Sequence, residues 1–156
     1  MRGSGGGQPI LKSMSTPPPR DAGRSATEGN RPMEPWMQKE IAALVAEHGT
    51  VPPPWVMFND HPYSMRWRMG DGEAHKELWW AWWEQQGFTE EQKVAYFRRW
   101  PPPHCWLAFL IEAVWGVDTF QERDNLGAYF ERTAALGFGT QQEYECDLDD
   151  PKWHKR

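Results

Sequence analysis

Apolar positions recur at three- and four-residue spacing from Pro35 onward. Met37, Ile41, Leu44, Val45 and His48 follow Pro35, which suits a first helical turn, and Gly49 and Pro52-Pro53-Pro54 close the run. This predicts a helix over 35–48, then a polyproline-like strut that delivers Trp55 at a fixed distance. Between 56 and 70 the period changes: Tyr63, Met65, Trp67 and Met69 alternate with Ser64, Arg66 and Arg68, the two-residue rhythm of extended chain. A second helix is expected from Asp71 or Gly72, with Asp71 as its cap, to Gln86 ahead of Gly87. At about 100° per residue, His75, Leu78, Trp79, Trp82 and Trp83 share one face, Glu73, Glu77 and Glu84 the other, and Trp80 the margin.

The third helix opens on a capping box, Thr89-Glu90-Glu91-Gln92, passes through Val94, Phe97 and Trp100, and stops at Pro101-Pro102-Pro103. Pro103 to Trp115 is apolar almost all round, which predicts a helix buried among others, with Glu112 on its thin, solvent-touching side. A fifth helix is expected from a second box, Thr119-Phe120-Gln121-Glu122, carrying Leu126, Tyr129 and Phe130 inward until Gly137, with Gly127 a point of kinking. The expected fold is therefore all-α, a compact bundle of about five helices over 33–138 with proline-rich struts. Residues 1–32, rich in Gly, Pro, Ser and Arg, are expected to be a disordered head in which 1–13 resemble an expression leader and Met14 a native start. Residues 139–156 are expected to be a solvated acidic tail.

Charge narrows the range of partners. Over 33–156 twelve basic residues face twenty acidic ones, a net charge of −8. Such a domain repels phosphate backbones, and Arg66, Arg68, Arg98 and Arg99 are too few for a basic stripe, so no nucleic acid is expected. The longest apolar run, Cys105 to Val117, is interrupted by Glu112 and too short to span a bilayer, so no membrane association is expected. Two cysteines, Cys105 and Cys146, without a disulfide framework or secretory signal suggest reduced thiols in a cytoplasmic protein.

Eleven tryptophans in 156 residues dominate the composition, with four in Leu78-Trp79-Trp80-Ala81-Trp82-Trp83. Such density means either a bulky core or an exposed aromatic surface. No catalytic constellation competes with it. Glu73 and His75 are two apart on a helix and point to different faces, so His75 is expected to be a hydrogen-bonded core residue. The histidines show no metal-ligand spacing, the acidic tail no calcium loop, and no cofactor is expected. Cys105 beside His104 at a helix start has the setting of a lowered thiol pKa, although a small residue in tight packing explains it equally well. Arg66 and Arg68 with Gly70 and Gly72 have the setting of an anion site, but a simple turn accounts for them. The sequence thus points to a non-catalytic protein-binding module, of regulator, inhibitor or immunity type, acting on a protein with a basic surface. Its expected binding residues are Trp55, Trp67 and Trp80 as anchors, with Arg66, Arg68 and Glu73 as polar neighbours. Alternatives are a carbohydrate-binding protein or glycoside-type hydrolase with stacking indoles and Glu73 or Glu112 as carboxylates, or a structural or assembly subunit. Oligomeric state is left open.

Overall fold

The computed structural model describes residues 33–154, and the expectations for the head lie outside them. The chain divides into two units at Glu34–Pro35, the second being Pro35–Arg156. Among the described residues it is all-helical: α1 Pro35–His48, α2 Pro54–Met57, α3 Gly70–Gln86, α4 Glu90–Arg99, α5 Leu107–Trp115, α6 Gly127–Ala135 and α7 Gln141–Leu148. Short 3-10 turns at Met65–Arg68, His104–Trp106, Arg123–Asn125 and Pro151–His154 link or extend them. The count of seven departs from the five expected because two elements, α2 and α7, are too short or too polar to announce themselves by periodicity. No described helix is long and apolar enough to cross a membrane.

Aromatic rings fill the interior. Trp55, Trp67, Trp79, Trp82, Trp83 and Trp106 are buried, Trp80, Trp100, Trp115 and Trp153 half-buried, and Trp36 is 43 % exposed. On α3 the expected face is the buried one: His75, Leu78, Trp79, Trp82 and Trp83. Trp79 and Trp83, four apart, stack at 4.7 Å between centroids, and Tyr96 and Phe97 of α4 close against them. From α5, Phe109 meets Trp79 and Trp80 on one side and Trp55 and Trp106 on the other. A single aromatic network therefore joins α2, α3, α4 and α5.

So many indoles bring as many N–H donors, and most find acceptors inside. Trp79 donates to the Tyr96 hydroxyl at 2.8 Å, Trp83 to the Ala113 carbonyl at 3.1 Å, Trp106 to the Asp60 carbonyl at 3.0 Å and Trp67 to the His61 carbonyl at 2.9 Å. The indole N–H groups of Trp55 and Trp115 are buried without an acceptor. The proline strut is itself anchored, since the Val51 carbonyl accepts from the Tyr96 hydroxyl at 2.6 Å and the Pro52 carbonyl from His75 Nε2 at 2.9 Å. Val51 to Trp55 are all buried, so the strut is a core element.

Several boundaries differ from the sequence expectation. The segment 65–68 is a 3-10 turn capped by Ser64, whose Oγ accepts from the Arg66 N–H, so the alternation there reflects a turn with Trp67 inward and its neighbours outward. At α3 the cap is Met69, and Asp71 lies inside the first turn because Gly70, at φ +69°, starts the helix earlier. Thr89 and Gln92 form their capping box as expected. Thr119 does not: Asp118 Oδ1 accepts from the Phe120 and Gln121 N–H groups, which turns the chain, and the helix waits until Gly127. Residues 141–148, expected as solvated tail, form α7 with a capping box between Thr140 and Glu143, and pack on the His104–Trp106 turn.

Candidate functional site

The segment between α2 and α3 is organised from a buried carboxylate outward. Asp60 sits in the turn Asn59-Asp60-His61-Pro62 and is almost wholly buried. Its oxygens accept from the His61 N–H at 3.0 Å, the Ser64 hydroxyl at 3.1 Å and Arg66 Nε at 3.2 Å. An ionised carboxylate in such a place is tolerated because the Arg66 guanidinium and two neutral donors replace its lost water. His61 continues the network. Its Nδ1 accepts from the Tyr63 N–H and its Nε2 faces the Leu148 carbonyl, both at 3.0 Å, an arrangement that suits a ring hydrogen on Nε2.

Above this scaffold the surface is apolar. Tyr63 is 65 % exposed, Met65 and Met69 are more than half exposed, and Val56 and Met57 at the end of α2 are also open. Arg66, beyond its bond to Asp60, lies over the Phe58 ring at 4.7 Å, and Phe58 meets Trp67 edge-on. Arg68 is exposed and pairs with no described residue. Gly72 brings the start of α3 against this turn: a Cβ there would lie 2.3 Å from the Arg66 carbonyl oxygen and 2.6 Å from its Cγ. The turn and the helix therefore meet at a position where only hydrogen fits.

The residues expected to bind separate into two sets. Arg66, Arg68 and Glu73 are exposed, as are Met65 and Met69 on the same segment, whereas Trp55 and Trp67 are inside, at 5 % and 6 % exposure. Trp67 is held from below by Trp106 at 5.2 Å and Trp55 by Trp106, Phe97 and Phe109, so both support the surface rather than forming it. Trp80 is half-buried at the α3 margin against Phe109. Sequence reasoning missed Asp60 and His61, although an Asp in a Pro-containing turn four residues ahead of Ser64 is a turn-forming signal.

Catalytic candidates fare differently. Burial pushes the Cys105 thiol well above its ordinary range, and Asp147 beside it adds to the rise, the reverse of an activated nucleophile. Cys105 and Cys146 are both free thiols. Burial lowers the His75 pKa, opposed by its bond to Pro52 and by Glu40, and Glu73 points to another face as expected. Glu112, expected to be exposed, is half-buried close to Lys76, whose ammonium burial pushes down in pKa and Glu112 pulls back up. No group of three His, Cys, Asp or Glu residues among the described residues is arranged to hold a metal ion. In comparisons with protein-family models, curated proteins and solved structures, the chain matches none.

Proposed function

We propose that the domain is a non-catalytic protein-binding module that docks a partner with a basic surface through the segment 56–73. One observation carries the reading: five large apolar side chains, Val56, Met57, Tyr63, Met65 and Met69, are open to water within fourteen residues, beside the exposed Arg68. Water-exposed methionines adapt to a partner's relief at little conformational cost, and tyrosine and arginine are favoured contact residues. The buried Trp55 and Trp67 hold this face rigid from beneath, which lowers the entropy lost on docking. The net charge of −8 over 33–156 favours encounter with a basic protein, and Glu73 supplies one carboxylate at the rim. Localisation in the cytoplasm is part of the same proposal and rests on the reduced cysteines.

A carbohydrate-binding reading has less support, since stacking needs an open indole face and those of Trp55 and Trp67 are covered by other rings. The test is quantitative affinity purification from native lysate with the full chain and with a Tyr63→Ser, Met65→Ser, Met69→Ser variant. The expected result is a protein of high isoelectric point enriched by the wild type and lost from the variant, whose fold is intact by circular dichroism. Indistinguishable profiles would overturn the assignment.

A further inference from the structure

The C-terminal helix α7 differs from every longer helix in the fold: none of its residues is buried. At eight residues it is too short to persist alone in water, where about 12–15 are marginal even for good formers. Its charge works against it as well, because Asp147, Asp149 and Asp150 crowd the negative end of the helix dipole with no basic residue in the last turn. What holds it is a set of polar bonds, several to residues far away in sequence, together with Tyr144, Leu148 and Trp153 packed half-buried against the core. Asp147 Oδ2 accepts from the Cys105 N–H at 2.9 Å, while Oδ1 accepts from the Trp153 indole at 3.0 Å and pairs with Lys152 at 3.2 Å. The Leu148 carbonyl accepts from His61, His104 faces Glu143 at 3.9 Å, and the Tyr144 ring lies 5.0 Å from Phe130. Two glycines with positive φ, Gly137 and Gly139, precede it. Gly139 also needs its hydrogen, since a Cβ there would lie 2.7 Å from the His104 ring.

We infer that residues 140–153 form a releasable strap, latched by Asp147 onto the His104–Trp106 turn, that opens as a unit while the aromatic core stays folded. Opening removes the cover from Cys105, which is otherwise sealed. It also frees His61, and with it the turn that presents Tyr63. That last link to docking rests on the proposed function, whereas the opening itself does not.

Cys105 is the built-in reporter. In the full chain carrying Cys146→Ser, which removes the exposed thiol, iodoacetamide alkylation of Cys105 is followed by mass spectrometry across sub-denaturing urea. The expected result is a labelling rate nearly independent of urea and faster than global unfolding measured by tryptophan fluorescence. Asp147→Ala should raise it at least tenfold. Thr140→Ala, which removes the α7 capping box, should raise it about fivefold, the factor that a cap of typical strength implies. Thr89→Ala, which removes the matching box on α4, should leave it unchanged. Labelling that tracks global unfolding in urea, or equal acceleration by Thr89→Ala and Thr140→Ala, would overturn the strap. Neither result depends on whether 56–73 binds a partner.

Discussion

Tyr96→Phe deletes one oxygen from the centre of the aromatic core. That oxygen donates to the Val51 carbonyl at 2.6 Å and accepts from the Trp79 indole at 2.8 Å, and both Val51 and Trp79 have no exposed surface. Neither group can turn to water once the hydroxyl is gone, so each is stranded at about 1–3 kcal/mol, and the pair at about 2–6 kcal/mol. Unfolding entropy near 2.1 cal/mol/K per residue over roughly 120 residues converts about 3 kcal/mol into a fall in Tm of about 12 °C. In urea the midpoint should drop by about 1–2 M with an unchanged slope. Tyr129→Phe, at a half-buried ring, serves as the control and should stay within about 0.5 kcal/mol of wild type. A Tyr96→Phe protein that unfolds within the same margin would refute the idea that this hydroxyl ties the proline strut to α3 and α4.

Further expectations test other parts of the fold. Gly72→Ala drives a methyl into the Arg66 backbone and should destabilise by about 1–3 kcal/mol or more, whereas Gly127→Ala, with open space at its Cβ, should be neutral or slightly stabilising by urea titration. His75 has a folded-state pKa below its unfolded value, so its contribution is fully present above about pH 6.5 and is lost as pH falls towards the folded pKa. Urea midpoints at pH 7 and 5 should therefore differ more in the wild type than in His75→Gln. Burial pushes the Asp147 carboxyl up, but bonds from Trp153, Cys105 and Lys152 outweigh it and hold the pKa below the ordinary value. Its contribution is present above about pH 4 and disappears as pH falls through the lowered pKa, so Asp147→Asn should flatten that acid limb. Trp36 is the most open indole, and Trp36→Phe should remove more acrylamide-quenchable fluorescence than Trp79→Phe.

The helices that carry the core could be read from sequence because their signals agree. On α3 the spacing of His75, Leu78, Trp79, Trp82 and Trp83 sets the buried face directly, and Gly87 ends the helix in the left-handed conformation. The capping box at Thr89 coincides with an apolar repeat. At Thr119 the same motif misleads, since Asp118 one residue earlier is a stronger acceptor and takes the N–H groups first. The reverse happens at Thr140: Thr140-Gln141-Gln142-Glu143 is a capping signature, but the acidic run after it lacks an apolar face, and α7 forms through contacts with His104–Trp106 that lie far away in sequence. The site was half legible. Arg66, Arg68 and Glu73 stand on the surface as expected, whereas Trp55 and Trp67 turn inward because Trp106 and Phe109, about forty to fifty residues later, offer them an aromatic interior.

The proposed docking face puts Met65 and Met69 in its outer, contacting layer. A photo-reactive amino acid placed in turn at 65, at 69 and at the exposed control position 131 on α6, followed by irradiation in native lysate, measures that contact directly. One basic protein crosslinked from 65 and 69 and absent from 131 is expected; no crosslinked product, or the same products from all three positions, would contradict the docking face.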